Sequence, residues 1–118
     1  MFKVFGFLSK RAGLSMPEFI DHYETKHVPL ICSLAPMPLV YKRRYLSPSE
    51  KLTTQGGEVD FDVITELGFA DRVAFDAWMA ALAKPEASAL VVADEARFLN
   101  RARTRAYVIE EHVTSAAS

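Results

Sequence analysis

The chain has 118 residues, 50% of them apolar and 25% charged, proportions that fit one globular domain and neither a disordered nor a two-domain chain. Lys and Arg number 14 against 15 Asp and Glu, a formal charge of -1, so no net field draws in nucleic acid or an anionic membrane surface. The single cysteine, Cys32, excludes an internal disulfide framework and fits a reducing cytoplasm, and the opening MFKVFGFLSKRAG is too soon charged for a signal peptide or a spanning helix.

Phe2 to Leu8 is rich in aromatic and branched residues and reads as a largely buried strand. After loop chemistry at Lys10, Arg11 and Gly13, Ser15-Met16-Pro17-Glu18 is an S-x-x-E capping box that opens a helix. Met16, Phe19, Ile20, Tyr23, His27 and Leu30 recur at three- and four-residue steps and share one face of it. Pro29 is expected to end or kink this helix near Val28. Val40 to Leu46 alternates as a strand, with Tyr41, Arg43 and Tyr45 on one side. A long polar loop, Pro48 to Val59, separates it from a third strand, Phe61 to Phe69, whose odd positions are mainly apolar.

Asp71 is placed to cap a second helix with Phe75, Trp78, Met79 and Leu82 as its apolar stripe, and Pro85 closes it. A helical stretch from Glu86 to Leu99 brings Leu90, Ala93, Ala96 and Arg97 near one another. The last strand runs from Arg103 to Ile109, and residues 114–118 read as a frayed tail behind one domain of residues 1–113.

The order β-α-β-β-α-β is that of a ferredoxin-like α+β fold, a four-stranded antiparallel sheet with its helices on one face. The other face is left bare. Phe2, Phe5, Phe7, Phe61, Val63, Phe69, Tyr107 and Ile109 give more apolar strand surface than two helices cover. A homodimer that packs sheet face on sheet face would bury it.

Tyr23 and His27 lie one turn apart on the inward helix face. A half-buried imidazole beside a phenol can act as a general acid or base; it can equally be a core histidine bonded to a backbone carbonyl or a strand tyrosine. Arg43 between Tyr41 and Tyr45 can receive a carboxylate or phenolate, or form a cross-strand ion pair with Glu66 or Asp62. His22 and His27 are five residues apart, roughly 140 degrees around a regular helix, too far to chelate one metal ion. Cys32 reads as an inert thiol, and no dinucleotide, P-loop or nucleophile-elbow motif is present. Arg101, Arg103 and Arg105 sit between acidic Asp94-Glu95 and Glu110-Glu111 and read as a solvated strand edge, not a nucleic-acid site.

Taken in order, Phe2 to Leu8, Gly13-Leu14-Ser15, Glu18-Phe19, His22-Tyr23, His27-Val28-Pro29-Leu30, Tyr41 to Tyr45, Phe61 to Leu67 and Ala93 to Phe98 resemble the EthD family. The resemblance implies a dimeric α+β barrel with a small-molecule pocket between sheet and helices in each subunit. It implies a cofactor-free, metal-free protein of small-molecule catabolism, an oxidoreductase of the monooxygenase type, a dehydratase or an isomerase. The alternative is a non-catalytic homodimer that binds a hydrophobic metabolite or supports a P450-type oxygenase. His27 matches the family's helix-end histidine, and Tyr41 and Arg43 match its second-strand positions. On this reading His27 moves a proton, Tyr41 and Arg43 steady charge on an oxygen, and Phe19, Tyr23, Trp78, Met79 and Phe98 contact a small hydrophobic or aromatic ligand.

Overall fold

The computed structural model describes residues 1–57 and 59–116. Four strands, β1 (Phe2–Leu8), β2 (Val40–Tyr45), β3 (Val63–Phe69) and β4 (Arg105–Val108), form one sheet in the order β2-β3-β1-β4 with every neighbour antiparallel. The helices are α1 (Met16–His22), α2 (Val28–Leu34), α3 (Arg72–Ala83) and α4 (Pro85–Phe98). This is the expected ferredoxin-like α+β architecture, with each helical arm built from two segments.

Local signals hold where they are short-range. The Ser15 hydroxyl accepts from the Glu18 amide at 3.2 Å, and Glu18 accepts from the Ser15 amide at 3.0 Å. Asp71 caps α3 by accepting from the Ala74 amide at 2.8 Å. Pro85, whose missing N–H costs nothing in a first turn, ends one helix and starts the next.

Of the end or kink expected near Val28, the structure has an interruption of the regular helix and not a stop. A π-helical turn, Tyr23–His27, joins α1 to α2, and the Val28 amide donates to the Tyr23 carbonyl five residues back. The wider turn carries the chain past the proline ring, which then occupies the first turn of α2, where no amide donor is required. The same insertion changes which side chains share a face.

Register decides what the sheet exposes. Val4 and Leu8 of β1 and Val63, Thr65 and Phe69 of β3 are buried, and strand alternation puts them on the helix side. Phe2 joins them, its ring 5.1 Å from Phe75. Of the eight apolar strand residues, Phe2, Val63 and Phe69 are therefore covered by the helices, and Phe5, Phe7, Phe61, Tyr107 and Ile109 are left for the other face. Phe7 stacks edge-on against Phe61 at 5.1 Å and Tyr107 at 6.2 Å. Beside this patch the enclosed Glu66 is held by Arg44 at 2.9 Å and Lys3 at 3.2 Å.

The core lies behind β1 and β3, where Phe19, Tyr23, Val63 and Phe98 have almost no exposed surface. Burial on α4 does not follow the Leu90, Ala93, Ala96 and Arg97 grouping. Leu90 is exposed, while Ala87, Asp94 and Phe98 are buried. Asp94 is thus buried and Glu95 half-buried beside it, because their partners lie outside the helix. β4 is shorter than expected and follows a 3-10 turn at Arg101–Arg103. Residues 114–116 are exposed coil, and Ala117 and Ser118 of the expected tail lie outside the described residues. Among the described residues no helix is long and apolar enough to cross a membrane.

Candidate active site

A cavity of about 430 Å³ opens between the sheet and the helices. Its sheet side is Val4, Gly6 and Leu8 of β1, Thr65 and Leu67 of β3, Tyr41 of β2 and Ala106 of β4. Its helix side includes Tyr23, His27, Ile31, Trp78, Met79 and Glu95. The size and the mostly apolar lining suit one small organic molecule. Gly6 keeps the floor low: a Cβ there would come to 3.0 Å from Leu8 Cδ1.

The π turn delivers His27 to this cavity. Its Nδ1 lies 2.9 Å from Asp94 Oδ2, and His22 Nε2 lies 2.8 Å from Asp94 Oδ1. A carboxylate only accepts, so His27 donates from Nδ1 and presents Nε2 as a lone pair. His27 is 6% exposed and lines the cavity, while Asp94 does not; Nε2 is the ring nitrogen that Asp94 leaves free. Burial holds the His27 imidazole below its ordinary value, Asp94 opposes that shift, and His22 adds to it. The ring is therefore neutral near pH 7, the form that can take a proton.

The two histidines thus meet on one carboxylate, against the straight-helix expectation that five residues would turn them apart. Neither alternative partner foreseen for His27, a backbone carbonyl or a strand tyrosine, is the one used. Asp94 is the residue that the sequence reading did not assign to the site. Its spacing held a clue, since Val91, Asp94, Glu95 and Phe98 fall at i, i+3, i+4 and i+7 on one helix face.

The phenols divide their tasks. Tyr23 is buried, its hydroxyl 2.6 Å from Thr65 Oγ1, and burial pushes it up to about 12. Tyr41 lines the cavity; burial and then the neighbouring Tyr23 push it upward too, so it remains a hydrogen-bond donor. Arg43 does not line the cavity. Its Nε lies 2.9 Å from Glu24 Oε2, its Nη1 donates to the Tyr41 carbonyl at 2.8 Å, and its guanidinium stands 4.9 Å from the centre of the Tyr41 ring. Glu24, on the π turn, also accepts from Tyr45 at 2.5 Å. The expected cross-strand pair with Glu66 or Asp62 is replaced by this helix-to-strand clamp, because Glu66 and Arg44 are on the outward face and Asp62 accepts from the Lys10 amide at 2.8 Å.

Of the other expected contact residues, Trp78 and Met79 line the cavity. Phe19 and Phe98 do not: both are fully enclosed, their rings 5.8 Å apart, and Phe98 packs against His22 at 4.7 Å and His27 at 4.9 Å. They form the wall behind the imidazoles. Among the described residues no three or more His, Cys, Asp or Glu side chains are grouped to hold a metal ion.

Comparison with known proteins gives a consistent fold. The sequence model described as EthD domain matches residues 11–102. None of the curated proteins searched matches the chain. Among solved structures, an ethyl tert-butyl ether d (EthD) family protein from Bacillus halodurans C-125 is similar at TM-score 0.60 and 21% identity, over 95% of this chain and 100% of that one. HapK from Hahella chejuensis is similar at TM-score 0.59 and 13% identity, over 100% and 99%. A dimeric ferredoxin-like protein of unknown function from Thermobifida fusca YX is similar at TM-score 0.50 and 16% identity, over 92% and 88%.

Proposed function

Because this chain belongs to the EthD family, we propose that it is a cofactor-free, cytoplasmic catalyst of proton transfer on a small hydrophobic or aromatic metabolite. One observation carries the reading: a buried imidazole that lines an apolar cavity of about 430 Å³ is held by a carboxylate through Nδ1, which leaves Nε2 as its free nitrogen. A base fixed in this way needs no rearrangement before it accepts a proton.

In this reading His27 Nε2 removes a proton from a carbon beside a carbonyl. The electron pair moves onto the carbonyl oxygen, where the Tyr41 hydroxyl donates a hydrogen bond to the developing charge. Tyr23, Trp78 and Met79 contact the ring system, and Arg43 positions Tyr41 without touching the ligand. Such a step is common to isomerisation, dehydration and the activation of a substrate for oxidation. The outward patch of Phe5, Phe7, Phe61, Tyr107 and Ile109 supports a homodimer formed face to face, and the similar Thermobifida structure is described as dimeric.

The test is exchange of the α-protons of 2-indanone, a compact neutral ketone, in D2O, followed by NMR. The protein is expected to accelerate exchange above the buffer rate, and His27→Ala to return it to that rate. Ketone binding without accelerated exchange would overturn catalysis and favour a non-catalytic ligand carrier that supports an oxygenase.

A further inference from the structure

The cavity has a second polar end. Tyr41 belongs to β2 and Ala106 to β4, the two outer strands of the sheet, roughly 14 Å apart at about 4.8 Å per strand spacing. His27 reaches in between them from the π turn. Among the described residues, the only ionisable lining group at the β4 end is Glu95, which also borders a surface depression with Arg101, Ala102 and Thr104. Its neighbours in sequence and space are fixed: Asp94 is committed to the two imidazoles. Arg101 Nε lies 3.2 Å from Oε1, one of the two carboxyl oxygens of Glu95.

The geometry points to Glu95 as a specificity-determining residue: the ligand is two-ended, with a carbonyl at the Tyr41 end and a neutral hydroxyl that hydrogen-bonds the Glu95 carboxyl at the β4 end. Tyr23 and Thr65 satisfy each other, and His27 spends Nδ1 on Asp94. With His27 Nε2 and the Tyr41 hydroxyl given to the reacting carbonyl, and Trp78 Nε1 a buried donor without a partner among the described residues, Glu95 is the cavity group that keeps an acceptor oxygen outside its ion pair. Burial pushes it above the ordinary carboxylate range, with Arg101 opposing and Asp94 adding to the shift. A ligand hydroxyl replaces the water that such a carboxyl loses, whereas a ligand carboxylate at this end meets like charge. The inference rests on the proposed function only for the use of this cavity and for the end at which the carbonyl binds.

The chain has one tryptophan, Trp78, and it lines the cavity, so its fluorescence reports binding directly. Titration with 2-indanone and with 5-hydroxy-2-indanone is expected to show the hydroxylated ketone bound about tenfold tighter, the scale of a hydrogen bond to a charged group. Glu95→Leu is expected to bring the ratio near one, and Glu95→Gln, which keeps an acceptor oxygen, to retain part of it. If Glu95→Leu does not fold, the Glu95→Gln ratio decides: a value as high as wild type overturns the assignment. A wild-type ratio near one, or a ratio that persists in Glu95→Leu, also overturns it. A ratio that depends on Glu95 in a protein that fails to accelerate ketone exchange upholds the assignment and overturns proton transfer alone. Binding of neither ketone overturns both.

Discussion

Asp94 holds two imidazoles at once, His22 through Oδ1 at 2.8 Å and His27 through Oδ2 at 2.9 Å. The arrangement exists because a π-helical turn places residues five apart on the same side. Each imidazole N–H finds an acceptor, and His27 keeps one tautomer with Nε2 free.

Asp94→Asn tests that role. The amide offers one acceptor and one donor where two imidazole N–H groups need acceptors. An amide N–H facing Nδ1 moves the His27 proton to Nε2, the wrong tautomer for a base, as in triads where the orienting carboxylate becomes an amide. We expect ketone exchange to fall about 100-fold or more and stability to fall by about 1–3 kcal/mol. Exchange at the wild-type rate would sink the orienting role of Asp94.

The pH dependence of stability follows from two opposite shifts. His27 is held below the ordinary imidazole value of 6.5 by burial, so the unfolded state binds its proton more readily. That contribution is complete above pH 6.5 and is lost as pH falls through the lower folded value. Glu95 is raised above 4.5; its contribution is complete below pH 4.5 and is lost as pH rises through the folded value. Thermal melts across this range should show the wild type losing stability below pH 6.5 more steeply than His27→Gln. Parallel curves would mean that His27 titrates alike in the folded and unfolded chain.

Arg43 is expected to act through Tyr41 and the Glu24 clamp. Removing it in Arg43→Met leaves Glu24 with Tyr45 as its remaining partner and frees the Tyr41 ring. Since the pair is part-exposed, the cost should be about 1 kcal/mol, at the upper end for exposed ion pairs. Ketone exchange should drop several-fold, with weakened orientation of Tyr41 as the cause. A fall to the His27→Ala level at unchanged melting temperature would instead put the guanidinium in contact with the ligand.

Dimerisation can be read by sedimentation velocity. The wild type should sediment at twice the chain mass, and Phe7→Asp, which sets a charge between Phe61 and Tyr107, should sediment as a folded monomer with unchanged circular dichroism. A wild-type monomer at high micromolar concentration would rule the sheet-face dimer out.

The sequence by itself determined the element order, the capping box at Ser15, the Asp71 cap, the alternation that turns Tyr41, Arg43 and Tyr45 to one side, and the inward position of Tyr23 and His27. All of these are written in spacings of two to four residues, the range over which strand alternation and helical periodicity act. Tertiary structure alone decided the rest. Pro29 read as a helix end or kink because a local rule forbids its missing amide, and only packing against the sheet and α4 supports the wider turn that interrupts the regular helix and carries the chain on. Asp94 and Glu95 carried no assigned role because their partners, His22, His27 and Arg101, come from elsewhere in the chain or from beyond the helix end. Arg43 found Glu24 and not Glu66, since sheet facing puts Glu66 behind the strand. The site is a set of long-range pairings, and a charged side chain declares its partner only when the fold brings that partner within about 3 Å.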